Sequence, residues 1–153
     1  MRKLTLLLLL ILFSSCGFKI IDISGQNNFS IDGFESKGER KINFIIKNNL
    51  LKFSKKNTNR ISLELETKKT RNIKEKNIKN EITKYEILII ANATIEKKID
   101  NTKFNISVNS NGDYSVADQN STTRNNEKQL IKILSKNLSE KIINEINLKL
   151  NDS

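Results

Sequence analysis

The chain of 153 residues contains no histidine, tryptophan or proline, and it has a single cysteine, Cys16. Without histidine, the commonest general base and the commonest metal ligand are both missing. One cysteine cannot form an intrachain disulfide, so stability has to come from packing. Aromatic residues make up 6% of the chain, and its lysine-rich stretch has no aromatic partners to stack on bases, which speaks against an RNA-binding domain. No internal repeat is visible, and biased composition is confined to Asn- and Lys-rich segments that read as solvated loops. Carboxylates are what remain for catalysis. Asp32, Glu35 and Glu39 lie close together, but Glu64 and Glu66 alternate with Leu63 and Leu65, which marks the wet face of a strand. These absences point away from an enzyme and assign no catalytic residue, metal site or cofactor.

What is present begins with the segment Leu4 to Phe13, behind Arg2-Lys3 and ahead of Ser14-Ser15-Cys16-Gly17. It is too short to cross a ~30 Å hydrocarbon core, which takes a helix of about 20 apolar residues, but it suits the apolar region of an export signal. The pattern resembles a bacterial lipoprotein signal, although Phe13 stands three residues before the cysteine, where leucine is usual. That resemblance implies a leader over 1–15 and lipidation of Cys16, with palmitate among its acyl chains. It also implies, from Gly17 rather than Asp, sorting to the outer membrane. Two or more acyl chains hold a protein stably at a membrane where one is marginal.

The formal net charge is +10, and loss of a leader carrying Arg2 and Lys3 leaves the remainder strongly basic. Such a surface attracts anions. For an exported lipoprotein these are phosphorylated or carboxylated lipid head groups, glycans or an acidic protein rather than nucleic acid. Compositional drift toward Lys, Asn and Ile is an equally good account of part of the balance.

Residues 16–28 read as a lipidated tether with an apolar island at Ile20, Ile21 and Ile23, and residues 29–153 as a single domain. A first strand fits Phe29 to Phe34. From Glu39 to Lys55 the apolar residues Ile42, Ile45, Ile46, Leu50 and Phe53 recur at helical spacing, predicting an amphipathic helix. After the turn-prone Asn57-Thr58-Asn59, Ile61, Leu63, Leu65 and Thr67 alternate as a half-buried strand. A charged connector is expected over Lys68 to Glu81. The segment Tyr85 to Ile95 has the strongest strand pattern, and Leu88 and Ile90 make its second face partly apolar. Either neighbouring side chains screen that face or it docks a partner protein. Asp100-Asn101 reads as a turn into a strand with Phe104, Ile106 and Val108. Asn111-Gly112 closes a hairpin or marks a bulge. A long helix over Ser121 to Leu150 repeats Leu130, Leu134, Leu138, Ile142, Ile146 and Leu150 every four residues, so its apolar stripe precesses across a broad surface. The fold class is therefore α+β, a two-layer sandwich of about four mostly antiparallel strands with two helices on one face.

The Cys16-Gly17-Phe18 start after the leader, the strand–helix–strands–helix order, Thr70-Arg71 before Tyr85-Glu86-Ile87-Leu88, and the late Tyr114 together resemble the LptE family. That resemblance implies a periplasm-facing, lipid-anchored outer-membrane subunit of the lipopolysaccharide translocon, seated in an LptD-like β-barrel. Lysine and arginine side chains can engage the phosphates of lipopolysaccharide through charge-assisted hydrogen bonds. The connector supplies Lys68, Lys69, Arg71 and Lys74, with Lys76 and Lys79 beyond them. Lys97, Lys98 and Lys103 form a second cluster at the opposite sheet end. The first is favoured for its density and for Arg71, and Leu88 and Ile90 are the expected partner contacts. The alternative is an envelope lipoprotein that regulates cell-wall synthesis or serves an ABC-transport system.

Acylation at Cys16 is directly testable. Cys16→Ala is expected to abolish incorporation of labelled palmitate and to release the protein from the membrane fraction. An unlabelled wild-type cysteine would remove the anchor.

Overall fold

The computed structural model describes residues 29–54 and 59–151. The leader, Cys16, the tether over 16–28 and most of the Asn57-Thr58-Asn59 turn lie outside the described residues. The elements run β1 (Ser30–Gly38), α1 (Arg40–Phe53), β2 (Arg60–Lys76), β3 (Ile82–Lys97), β4 (Lys103–Ser115) and α2 (Asn120–Asn151). The sheet order is β1-β2-β3-β4, with β1 and β2 parallel and the other two pairs antiparallel.

Side-chain alternation sorts the sheet into two unlike faces. One carries Ile61, Leu63 and Leu65 from β2, Ile87, Ile89, Ala91, Ala93 and Ile95 from β3, and Ile106 and Tyr114 from β4, all buried. Against it lie Ile42, Ile46 and Leu50 of α1 and Leu134, Leu138, Ile142, Ile143 and Ile146 of α2. Each fully buried Ile or Leu contributes about 1.5–3 kcal/mol of transfer free energy. The other face is polar: Thr94 Oγ1 donates to Asn105 (2.9 Å), Ser107 Oγ to Asn92 (2.8 Å) and Lys37 Nζ to Glu64 (2.8 Å). The two-layer sandwich with both helices on one face is therefore present. Where the helices meet, Ser135 and Ser139 of α2 are buried and let the backbones approach. Their hydroxyls donate to the carbonyls of Ile131 (2.7 Å) and Ser135 (2.8 Å).

The parallel crossover is closed by a buried polar node. Thr67 Oγ1 donates to Asn43 Oδ1 at 2.6 Å, Asn43 Nδ2 donates to the Lys37 carbonyl at 2.9 Å, and the Glu39 amide donates to Thr67 Oγ1 at 3.2 Å. Asn43 and Thr67 are 5% and 3% exposed, so leaving any of these groups unpaired would carry a desolvation penalty. Gly38 sits beside the node at φ 92°, with the position of a Cβ only 2.0 Å from the Thr67 carbonyl oxygen. No other residue type fits there without moving backbone.

Two expectations are corrected. The segment Lys68 to Glu81 is mostly strand, because β2 continues to Lys76 and pairs with β3 as far as Ile82. Ladder hydrogen bonds carry it without an apolar face, and only Asn77 to Glu81 turns. There Asn77 Oδ1 accepts from the Lys79 and Glu81 amides (2.9 and 3.0 Å), and Asn80 takes φ 63°. Asn111-Gly112 is neither turn nor bulge, since β4 pairs in unbroken register through Leu88–Asn111 and Ile87–Gly112. Gly112 serves close packing instead: a Cβ there would lie 2.9 Å from Leu130 Cδ1 of α2.

The two glycines should respond differently to Gly→Ala. At Gly38 the obstruction is backbone and φ is positive, so a loss of roughly 2–4 kcal/mol is expected. At Gly112 the obstruction is the tip of a leucine, so the loss should stay under about 1 kcal/mol. Urea melts of both variants measure this, and equal losses would contradict the assignment.

Candidate functional site

Seventeen residues of β2 extend roughly 50 Å, whereas the fourteen residues of α1 cover about 21 Å. Beyond Thr67 the helix-facing side of β2 outruns α1, and its next residues are Lys69, Arg71 and Ile73. Only α2 faces them, and it presents Glu127: Lys69 Nζ lies 3.6 Å and Arg71 Nη1 3.9 Å from its carboxylate. Both distances exceed hydrogen-bond length, so these contacts are coulombic and exchangeable. Arg71 also lies over the Tyr85 ring, 4.6 Å from its centroid, and Tyr85 stacks on Tyr114 at 5.6 Å. Burial holds the Tyr114 phenol above its ordinary range, outweighing the opposite pull of Arg71, so it stays neutral at pH 7.

The four basic residues expected to act together are divided by strand alternation. Lys69 and Arg71 point to the helix side. Lys68 lies on the open face opposite Ile90, and Lys74 reaches Asp113 of β4 in an ion pair. Lys97, Lys98 and Lys103 stand at the other sheet end, and the last two lie near Glu96 at 4.0 and 3.8 Å.

Leu88 and Ile90 occupy the centre of the open face and are half-buried. Thr70 and Asn111 flank Leu88, while Lys68 and Asn109 flank Ile90. Glu64 and Glu66 are exposed on the same face, as their alternation predicts, and hydrogen bonding to Lys37 holds the Glu64 carboxyl below its usual range. Among the described residues no helix is long and apolar enough to cross a membrane.

Sequence reasoning missed a groove of about 920 Å³ between α1 and α2 whose lining includes Lys69 and Glu127. Arg124, Lys128, Lys132 and Lys136 ascend α2 along one wall at intervals of four residues. That interval was visible in the sequence, but what it faces depends on where α1 lies.

No family model matches the chain, and a search of curated proteins finds no match. Solved structures do. Rare lipoprotein B from Shewanella oneidensis superposes with a TM-score of 0.64 at 11% identity, over 82% of this chain and 98% of that one. An uncharacterized lipoprotein B from Nitrosomonas europaea gives 0.59 at 10% identity, over 83% and 90%. At such identities the likeness is one of fold, and it spans nearly the whole of each of those domains: the chain has the fold of these lipoprotein structures.

Proposed function

We propose that this chain is a non-enzymatic, lipid-anchored envelope protein that works at the outer membrane as a lipopolysaccharide-translocon subunit, held by a β-barrel partner of the LptD type. The observation that carries the reading is the agreement between a leader-like sequence over 1–15, directly ahead of Cys16, and a domain with the fold of lipoprotein B structures. The LptE-like features of the sequence give the finer assignment, and the basic sheet end supplies its chemistry. Lys69 and Arg71 stand 3.6 and 3.9 Å from Glu127, beyond hydrogen-bond length, so their N–H groups are not committed to that carboxylate and can donate to a phosphate oxygen. Arg71 is further positioned by the Tyr85 ring, so little side-chain freedom is lost when it takes up an anion. Lys68 and Lys74, on the opposite face, cannot grip the same head group and form a separate contact. Leu88 and Ile90, surrounded by Thr, Asn and Lys side chains, offer a narrow apolar centre within a polar rim, an arrangement suited to a partner interface.

The double variant Lys69→Glu/Arg71→Glu is expected to weaken lipopolysaccharide binding by at least about tenfold, since charge-assisted hydrogen bonds are worth about 1.5–3 kcal/mol each. Thermal stability should change little, because these ion pairs are partly exposed. Lys68→Glu should have a smaller effect. Equal losses from Lys68→Glu and the double variant would remove the helix-side site.

Leu88→Lys or Ile90→Lys should reduce recovery of a barrel protein in co-purification from membranes more than it lowers the melting temperature. Recovery of a cell-wall synthase or a transport permease in place of the barrel would favour the alternative role.

A further inference from the structure

Apart from Lys69 and Glu127, the residues that line the groove between α1 and α2 have no part in the role above. Its floor contains Ile45 of α1 and Ile131 of α2, both half-buried, with Ile133 56% exposed at its edge. Its rim is cationic: Lys41 and Lys52 from α1 face Arg124, Lys128, Lys132 and Lys136 from α2. Glu127 is the one carboxylate among the lining residues, and it is engaged by Lys69. Lys136 lies 3.9 Å from Glu140. Among the described residues, Lys41, Lys52, Arg124, Lys128 and Lys132 have no ion-pair partner.

β1 and β4 run in the same direction, and each is followed by a helix that returns across the sheet, so α1 and α2 are parallel. They are staggered: Asn49 of α1 meets Ser139 of α2, so α2 begins further out, beyond the start of α1. Neither helix has an acidic residue in its first turn, although Glu39 is the N-cap of α1, so the helix ends add little and the field of the groove is set by its side chains.

We propose that this groove binds a single-chain anionic lipid, with the aliphatic chain along the Ile45–Ile131 floor and a phosphate or carboxylate head among Lys41, Arg124 and Lys128. An apolar trough with a rim of one sign selects a molecule that is apolar along its length and negative at one end. Along either helix the rim spans roughly 16–18 Å, the scale of an extended acyl chain rather than of a compact ion. The volume falls within the usual range for small-molecule sites. A second copy of this chain is disfavoured, since two identical basic rims would face each other. Nucleic acid would gain nothing from an aliphatic floor without stacking partners. The inference rests on the groove alone and needs neither the barrel partner nor lipopolysaccharide.

The test uses the full chain in phosphatidylcholine nanodiscs, with isoleucine methyls labelled for NMR, and dodecyl phosphate as the probe. Saturable shifts are expected at the Ile45, Ile131 and Ile133 methyls. Dodecyl maltoside, with the same tail and no charge, should bind at least about tenfold more weakly, and inorganic phosphate should leave these methyls unmoved. Lys128→Glu/Lys132→Glu, both exposed, should weaken dodecyl phosphate by about tenfold or more without altering the melt. The proposal is overturned if the maltoside binds equally, if the charge reversal has no effect, or if the shifts fall outside the groove. It is also overturned if the methyls respond only to protein concentration, or only to an added acidic amphipathic peptide, either of which would make the occupant a protein. None of these readouts depends on lipopolysaccharide, so this inference and the translocon role can fail separately.

Discussion

A long strand paired along its whole length to a neighbour, and covered by α1 over less than half of it, is the constraint from which the molecule's chemistry follows. The ladder between β2 and β3 runs from Ile61–Lys97 to Lys76–Ile82. Hydrogen bonding is indifferent to what the side chains are, so the ladder continues after the apolar side chains stop. Coverage is not indifferent. Apolar residues occupy the helix-facing side while two helices lie above it, through Leu65. Thr67 closes the core, and from Lys69 onward the same side carries charge because one helix, α2, remains to face it. The change from core to basic site takes place within three alternate residues of one strand.

The node at Thr67 makes that boundary sharp. Asn43 and Thr67 satisfy one another and the turn between β1 and α1, which fixes where α1 begins and hence how far along β2 it lies. A buried polar pair is weak support for stability taken alone, since an apolar pair could replace it at little cost. Its value is in position: the bonds are available in one register only, and Gly38 at φ 92° accepts the close approach they require. Shifted by a turn, α1 would either cover Lys69 or expose Leu65.

What the amino-acid pattern disclosed follows the same division. Where apolar periodicity was strong, in Ile42 to Phe53, Tyr85 to Ile95 and Leu130 to Leu150, elements of the expected type are present with boundaries displaced by a few residues. Where strand structure depended on pairing rather than burial, it was invisible. Lys68 to Lys76 contains mainly charged and polar residues, and no alternation distinguishes such a segment from a solvated loop. Gly112 misled for a related reason. Asn-Gly is a turn signal because glycine admits positive φ, but here glycine is needed for what it lacks, a Cβ that would meet Leu130. Strand parity then separated Lys68 and Lys74 from Lys69 and Arg71, a division that required knowing the segment was a strand.

The same geometry explains why the basic character of the chain is not spread evenly. On the open face lysines sit among carboxylates and amides: Lys37 with Glu64, Lys84 with Glu75, Lys74 with Asp113. Each of these exposed pairs adds little stability, but together they leave that face with modest net charge. On the helix side the carboxylates are scarce, and the cations flank an apolar trough. Clustering like charges opposes folding, so composition alone is an insufficient account of it. A random excess of lysine would distribute over both faces, whereas here the unneutralised part lies along α1, α2 and the exposed half of β2. The positive charge is therefore concentrated on the helix side, where the two parallel helices leave cations unpaired, with Lys68, among the described residues, an unpaired cation on the open face.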